Sequence, residues 1–379
     1  MYMKKAMAFL AMTAIIAITL PFAANSQQQE ETVKIQVALL LDTSNSMDGL
    51  ITQAKSQLWK VVNELATAKH QGQMPQLEIA LYHYGNDRLN AKGGHIEKIS
   101  DFTTDLDLVS EKLFALTTNG GEEYCGWVIR EATDDLKWSK SPNDLKMIFI
   151  AGNEPFNQGK VSFANSCKEA IKKGIIINTI FCGDFNEGVN TEWKKGADLA
   201  DGSYMSINQN EMTAYVPSPF DDEILKLNTS LNNTYIYYGA AGSSAKARQE
   251  TQDINAASVS EEVALQRVKS KSGAMYKNST WDLVDGFKTD KEALKNMKDE
   301  DLPDTLKKMT KDEREKYVEA KSKERDEIQA KIKDLNDKRD KYVAEERKKM
   351  AVTNKNSLDE AMINSLKTKA TEKNFEFGK

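Results

Sequence analysis

The 379-residue chain has few of the residues on which many enzymes and zinc sites depend. It contains three histidines, three cysteines and seven prolines. No CxxC or Cys/His cluster occurs, so a structural zinc site is not expected. The scarcity of histidine argues against hydrolases that use an imidazole base. No P-loop, HExxH or GxSxG motif is present either. We therefore expect a protein that is not an enzyme.

The charge balance and the lack of long apolar runs exclude two further classes. A net charge of -5 is not the signature of a nucleic-acid-binding protein. Beyond the N-terminal segment, no apolar run is long enough to span a membrane. That segment has Lys4 and Lys5 followed by the apolar residues 6–20, and small residues near position 26. This pattern predicts a signal peptide over 1–26, with an uncleaved anchor as the alternative.

Export would place the mature chain in the periplasm or outside the cell, with no integral membrane segment. The cysteines Cys125, Cys167 and Cys182 all lie in the mature part. An oxidising compartment permits a disulfide. Three cysteines allow three single pairings, and the sequence does not choose among them.

Apolar runs alternate with amphipathic segments through the first half of the mature chain. The predicted strands are 33–41, 77–84, 96–100, 145–151, 175–182 and 204–207. The predicted helices are 49–69, 104–116, 122–136, 162–173, 191–199 and 217–232. This alternation predicts an α/β fold with a doubly wound, mostly parallel sheet and helices on both faces.

The first predicted strand ends in a group of oxygen-bearing side chains. Asp42, Ser44 and Ser46 stand at alternate positions between the buried run and the next helix. Parallel sheets bind ligands beyond the carboxyl ends of their strands, and such oxygens suit hard cations. We interpret the loop as a divalent-cation site. A plain strand-to-helix turn with a capping residue is the alternative.

The segment from Val33 to Ile207 resembles a von Willebrand factor type A domain. Its Asp-Thr-Ser-Asn-Ser sequence, residues 42–46, matches that family's metal-ion-dependent adhesion site. The loops containing Gly120-Gly121 and 152–155 fall where the family's second and third metal loops belong. The resemblance implies a doubly wound domain that binds partner proteins through Mg²⁺ or another divalent cation, Mn²⁺ or Ca²⁺. Such domains are ordinarily binding modules.

Two positions depart from the family pattern. Glu122 and Glu123 stand where a Thr is usual, and Gly152 stands where an Asp is usual. We expect one of the glutamates to restore the missing charge from a helix N-terminus, or to occupy the position of a partner's carboxylate. The predicted metal ligands are Asp42, Ser44, Ser46, Glu122 and Glu154. The predicted partner-facing residues are Gly121, Glu123 and Asn153. The alternative is a degenerate site with ordinary first-turn glutamates.

The second half of the chain is increasingly charged. We expect an added strand over 234–238, a helix over 245–274 and an apolar group over 281–287 that docks on the α/β domain. A recognition patch for a partner is the alternative for that group. Thr310 and Glu313 form a capping box, from which a helix could run to about Met350. Its thin apolar seam, interrupted by Arg339, suits a weak coiled coil that self-associates, a solvated single helix or a docking arm, and the mixed charges favour the first two. A frayed tail is expected at the end.

These patterns divide the chain into four parts. They are a signal peptide (1–26), an α/β domain (33–240), a linking helical segment packed on that domain (241–289) and a charged helical extension (290–379). The predicted function is protein binding through the cation site, in adhesion or complex scaffolding. One alternative is an envelope component whose C-terminal helix binds the partner. A second is an envelope hydrolase.

Overall fold

The computed structural model describes residues 32–208, 215–350 and 358–377. The predicted signal peptide therefore lies outside the described residues. From Val33 onward the chain forms one compact unit. Within the described ranges, no helix has the length and apolar character needed to cross a bilayer.

A six-stranded sheet lies at the centre of this unit. Its strands are β1 (Lys34–Asp42), β3 (Gln76–Tyr84), β4 (Ile96–Thr103), β5 (Leu145–Gly152), β6 (Ile176–Cys182) and β7 (Tyr204–Ile207). They are arranged in the order β4-β3-β1-β5-β6-β7. Every neighbouring pair is parallel except β3 and β4. The predicted doubly wound, mostly parallel sheet is confirmed. A second sheet pairs β2 (Ala68–His70) with β8 (Phe375–Phe377).

Helices cover both faces of the large sheet and continue beyond it. Those within the α/β region are α1 (Asp48–Leu65), α2 (Leu106–Ala115), α3 (Cys125–Asp135), α4 (Phe163–Lys172), α5 (Phe185–Asn190) and α6 (Trp193–Asp198). Those that follow are α7 (Asp221–Asn232), α8 (Gly242–Val259), α9 (Glu261–Ser272), α10 (Leu283–Thr289), α11 (Lys291–Asn296), α12 (Asp304–Lys307), α13 (Lys311–Met350) and α14 (Leu358–Glu372).

The central strand β1 explains why its sequence is a continuous apolar run. Ala38 and Leu40 are buried in one core, together with residues of α3 and α4. Leu39 and Leu41 are buried in the other core, beneath α1. A strand covered on both faces needs apolar side chains at every position. Because β1 lies between β3 and β5, the crevice where strand order reverses opens at its carboxyl end, beside Asp42.

The C-terminal helix α14 completes the face of the sheet that α1 covers. Leu358, Met362 and Leu366 are buried in the same core as Leu39. The chain then pairs β8 with β2 in antiparallel register. The expectation of a frayed tail is therefore wrong for the residues up to Phe377. Apolar positions along α14 cover sheet surface that would otherwise meet water.

The long helix expected after the capping box is α13. Glu313 accepts a hydrogen bond from the Thr310 N–H at 2.8 Å, and the Thr310 hydroxyl accepts one from the Glu313 N–H. Arg325 and Arg339 are both buried, at 1% and 2% exposure. The expectation of a helix solvated all round is therefore wrong, because the two arginines point inward and pair with acids of other elements. Self-association of α13 stays a prediction.

Two further predicted elements differ from the structure. Residues 234–238 form no sheet strand and contribute a single bridge between Tyr237 and Asp282. The Tyr235 ring instead packs 3.9 Å from the Arg325 guanidinium, so this aromatic run surrounds a buried cation. The helix expected over 245–274 is divided into α8 and α9 at Ser260, whose hydroxyl caps α9 by accepting from Val263 N–H.

Candidate metal centre

Asp42 is the last residue of β1 and is completely buried. Its Oδ1 accepts a hydrogen bond from the Ser44 N–H at 2.8 Å. Its Oδ2 is buried and has no hydrogen-bond partner within the described part of the chain. A buried carboxylate oxygen without a donor or a cation is costly. This atom therefore marks a place where positive charge is needed.

Backbone and amide hydrogen bonds hold the first loop against its neighbours. The Thr43 N–H donates to Tyr84 O at 2.9 Å, and the Asn119 N–H donates to Thr43 O at 2.9 Å. Asn86 Nδ2 donates to Thr117 O at 3.0 Å. The loops that follow β1, β3 and α2 are thereby fixed to one another.

Ser44 and Ser46 present their hydroxyls side by side on the first loop. The two Oγ atoms are 3.2 Å apart. Ser44 is buried, whereas Ser46 is exposed. Asn153 Nδ2, from the loop after β5, donates to Ser46 Oγ at 3.2 Å. The structure thus brings the first and third predicted loops together.

Glu123, rather than Glu122, is the glutamate that faces the first loop. Glu123 is 7% exposed, and the Ser44 side chain is close enough to lower the pKa of its carboxyl group. Glu122 is exposed, and its carboxylate accepts a hydrogen bond from the Tyr124 hydroxyl. The expected helix start at residue 122 is wrong. Helix α3 begins at Cys125, so neither glutamate lies on its first turn.

Two glycines allow the second loop to approach the first. A Cβ at Gly121 would lie 2.4 Å from Gly85 O. Gly85 has φ +75°, and a Cβ there would lie 2.8 Å from Asp42 Oδ1 and 2.8 Å from Glu123 Cγ. Only glycine fits this conformation and this gap. Gly121 therefore packs its backbone against Gly85, beside the two carboxylates.

The structure gives a physical reason for the glycine at the third loop. A Cβ at Gly152 would lie 2.7 Å from the Tyr84 hydroxyl and 3.0 Å from Asp42 Oδ2. That hydroxyl donates to Ala151 O at 3.0 Å. Tyr84 thus fills the space that an Asp side chain at residue 152 would need. The departure from the family pattern at this position is coupled to the tyrosine on β3.

Glu154 lies at the outside of the site. It is half-buried, and its Oε2 accepts a hydrogen bond from Gln158 Nε2 at 3.2 Å. Its backbone oxygen accepts from Trp193 Nε1 at 2.8 Å, which fixes the loop to α6. Its charge raises the pKa of both Asp42 and Glu123. Glu154 therefore acts on the centre through space.

Burial and mutual repulsion perturb the two inner carboxylates. Burial, followed by the charges of Glu123 and Glu154, raises the pKa of Asp42 to about 8, although the Ser44 N–H bond opposes the rise. Burial, followed by the charge of Glu154, raises the pKa of Glu123 to about 7. Two neighbouring buried carboxylates resist joint ionisation unless a cation neutralises them.

The oxygen donors at this site suit a hydrated divalent cation. Within the described ranges, no group of three or more His, Cys, Asp or Glu converges as a ligand set. Mg²⁺ commonly uses one or two carboxylates and keeps several waters. Asp42 and Glu123 with the hydroxyls of Ser44 and Ser46 meet that requirement. The unpartnered Oδ2 of Asp42 is the observation that fits a cation.

A hydroxyl–imidazole–carboxylate series lies behind the first loop. Thr43 Oγ1 is 3.1 Å from His83 Nδ1, and His83 Nε2 is 2.9 Å from Glu97 Oε2. Thr43 is completely buried, and its hydroxyl also lies 3.2 Å from Tyr84 O. A nucleophile must reach its substrate. This series therefore fixes the loop and is not arranged for catalysis.

The three cysteines are all free and buried. Cys125 Sγ lies 3.7 Å from the Tyr84 hydroxyl. Burial raises the pKa of the Cys125 and Cys182 thiols, and the charge of Asp42 raises both further. None of the three pairings that the sequence left open is formed. All three thiols behave as small apolar residues, and those of Cys125 and Cys182 lie near Asp42.

Sequence reasoning did not find the roles of Tyr84 and Gly85. Both lie at the carboxyl end of β3, next to β1. The rule that ligands bind beyond the carboxyl ends of parallel strands also applies to β3, and it is the signal that points to these two residues. The sequence does not show that Glu123, and not Glu122, faces the first loop, because this depends on where α3 begins.

Comparisons with known proteins place these features in context. No protein-family model matches the chain, and no curated protein matches it significantly. A hypothetical protein, BatB from Bacteroides thetaiotaomicron, is similar in structure at 15% identity, with 46% of this chain and 90% of that chain covered and a TM-score of 0.36. The vWF domain of the type V pili tip protein Mfa5 from Porphyromonas gingivalis is similar at 14% identity, covering 46% and 90%, with a TM-score of 0.34.

A third similar structure is described with a metal. Proximal thread matrix protein 1 from the mussel byssus, with a zinc-occupied MIDAS motif, shows 13% identity, coverage of 46% and 42%, and a TM-score of 0.35. These similarities are too low to support an argument about function. The fold assignment rests on the strand order and register given above, which are those of the doubly wound domain that the resemblance implied.

Proposed function

We propose that this chain is a non-enzymatic binding protein that engages a protein partner at a divalent-cation site at the end of β1. The observation that carries the proposal is the buried, unpartnered Oδ2 of Asp42 beside the second buried carboxylate, Glu123. A bound Mg²⁺ or Mn²⁺ would supply the missing positive charge and would hold together the loops that face the partner. Asp42, Glu123, Ser44 and Ser46 would hold it.

The residues around these four support a site open to a large partner. Ser46 is exposed, and Asn153, half-buried, stands beside it. The partner-facing role predicted for Asn153 is retained in this proposal. Glu123, predicted to face the partner, would instead help to hold the cation. Glu122, predicted to be a metal ligand, would instead face the partner. Export to the periplasm or beyond remains part of the proposal, supported by the N-terminal sequence.

The charged C-terminal helix is a less suitable binding element than the cation site. Its buried arginines pair with residues of the same chain: Arg325 with Asp282 at 2.6 Å, and Arg339 with Asp221 at 2.9 Å. The face that carries these residues is therefore occupied. Any partner of α13 would meet only its outer face, which carries charges of both signs.

Calorimetric titration with Mn²⁺ tests the proposed site. Wild type should bind, and Asp42→Asn and Glu123→Gln should each lose about tenfold or more in affinity, about 1.4 kcal/mol. Glu122→Gln separates the two glutamates, because its carboxylate faces Tyr124, and its affinity should stay within about threefold. The proposal is wrong if wild type does not bind, or if Asp42→Asn binds equally well.

A further inference from the structure

Four more carboxylates surround the candidate centre, and we call them the acidic rim: Asp48, Asp87, Glu122 and Glu154. Asp48 accepts a hydrogen bond from the Thr118 hydroxyl of the second loop. Asp87 Oδ2 lies 3.4 Å from the position of a Cβ on Gly120. Glu122 and Glu154 both raise the pKa of Glu123. The rim therefore lies on the loops of the centre and on the first residue of α1.

The rim is negative and unpaired. Asp48, Asp87 and Glu122 are exposed, and Glu154 is half-buried. None of the four forms an ion pair with a basic side chain in the described ranges, although exposed acids elsewhere do, such as Asp198 with Lys194 at 2.6 Å. Unpaired charge of one sign around a cleft focuses its field and selects partners of the opposite sign.

The inner site already contains the carboxylate that an acidic partner would bring. Glu123 is buried beside Asp42, and the Ser44 side chain is close to its carboxyl group. Asp42 and Glu123 would balance the two charges of a bound cation, which leaves the rim uncompensated. A partner carboxylate would then approach four like charges. The buried, unpartnered Oδ2 of Asp42 lies at the centre of this surface, and a bound cation would satisfy it without neutralising the rim.

An aromatic ledge formed by Tyr124 and Trp127 adjoins the rim. The Tyr124 hydroxyl donates to Glu122, and the two rings lie 6.3 Å apart and nearly parallel, at 19°. The Arg130 guanidinium already lies 5.5 Å from the Trp127 ring. Both rings are half-buried, so part of each is open to solvent. Such rings attract Lys and Arg side chains by cation–π interaction.

We propose that the acidic rim and the aromatic ledge together recognise a basic segment, rich in Lys or Arg, of a partner protein. This inference rests on the proposed function, because the cation site supplies the loops on which the rim is carried. It gives the partner segment a positive charge, whereas a partner that bound the cation through a carboxylate would carry a negative charge.

Two labelled peptides test the inference by fluorescence anisotropy, with the mature full-length chain in Mg²⁺. One alternates Gly with Lys and the other alternates Gly with Glu. The Lys peptide should bind at least about tenfold more tightly. Asp87→Asn/Glu122→Gln should weaken it about tenfold. The matched control Asp337→Asn/Glu345→Gln makes the same charge change on exposed positions of α13 and should change affinity less than about twofold.

Three results would overturn the inference: tighter binding of the Glu peptide, no binding of either peptide, or equal weakening by both double variants. Equal weakening would mean a general attraction of Lys to an acidic protein. Mn²⁺ titration of the same samples distinguishes the two proposals. Wild type that binds Mn²⁺ but prefers the Glu peptide rejects only the basic partner. Wild type that binds no Mn²⁺ rejects the proposed function itself.

Discussion

The side chains of Asp42 and Glu123 both border the space that a Cβ on Gly85 would occupy. A single added carbon at Gly85 would stand 2.8 Å from Asp42 Oδ1 and 2.8 Å from Glu123 Cγ. Because Gly85 has no side chain, two acidic side chains from different loops can approach each other. Their closeness is costly when both are ionised, and it becomes favourable when a cation lies between the loops.

The Gly85→Ala variant should lose both stability and cation affinity. Its positive φ costs an Ala about 1–2 kcal/mol, and the new methyl group must push one of the carboxylates aside. Gly72→Ala is the matched control, since Gly72 has φ +79° and nothing within 4 Å of its added carbon. Urea unfolding and Mn²⁺ titration measure both effects. Equal behaviour of the two variants would mean that the contact at Gly85 has no role.

The chelated protein should become less stable as pH rises. Asp42 has a folded pKa of about 8, above its ordinary 3.8, so the native state retains a proton that the unfolded state has lost. Its contribution is fully present below about pH 4 and is lost as pH rises through 8. Glu123 acts in the same direction, with a pKa of about 7.

Urea unfolding in EDTA at several pH values measures this dependence. From pH 5 to 9 the free energy of unfolding should fall by at least about 1.4 kcal/mol, the equivalent of one pKa unit. Saturating Mg²⁺ should remove most of the slope, because the ionised carboxylates then bind the cation. Asp42→Asn should reduce the slope in EDTA and leave the part that Glu123 contributes. A wild-type profile that rises with pH would contradict the assignment.

Helix α14 should be essential to the α/β domain. Leu366 is 1% exposed in the core that contains Leu39. Leu366→Ala should cost about 2–5 kcal/mol, the usual range for a buried leucine. Thr368→Ala, at an exposed position on the same helix, should cost less than about 0.5 kcal/mol. Thermal unfolding compares them. A small loss in Leu366→Ala would mean that α14 is docked weakly.

Removing Arg325 alone from its ion pair with Asp282 should lower the free energy of unfolding strongly. Arg325 donates to Asp282 at 2.6 Å and to Asp285 at 2.9 Å, and both Arg325 and Asp282 are buried. Arg325→Met leaves buried acids without a cation, which costs about 3–5 kcal/mol. The double variant Arg325→Met/Asp282→Asn should recover part of that loss in urea unfolding. Additive losses would show that the two residues are not coupled.

Local patterns predicted the sheet and the first loop because both depend on adjacent residues. The apolar run before Asp42 specifies a strand covered on both faces, and the spacing of Ser44 and Ser46 specifies the loop. Alternation of such runs with amphipathic helices restricts the topology to a doubly wound sheet. Helix limits were less well defined. The start of α3 at Cys125 determined which glutamate faces Asp42, and sequence periodicity did not locate it.

The sequence by itself determined the α/β architecture, the place of Asp42, Ser44 and Ser46, and the capping box before α13. Only the tertiary structure decided that Glu123 lies beside Asp42, that Tyr84 excludes a side chain at Gly152, and that α14 completes the sheet. Each of these relationships joins residues far apart in the chain. Backbone propensity acts over a few residues, whereas these contacts depend on which surfaces fit together when the core is packed.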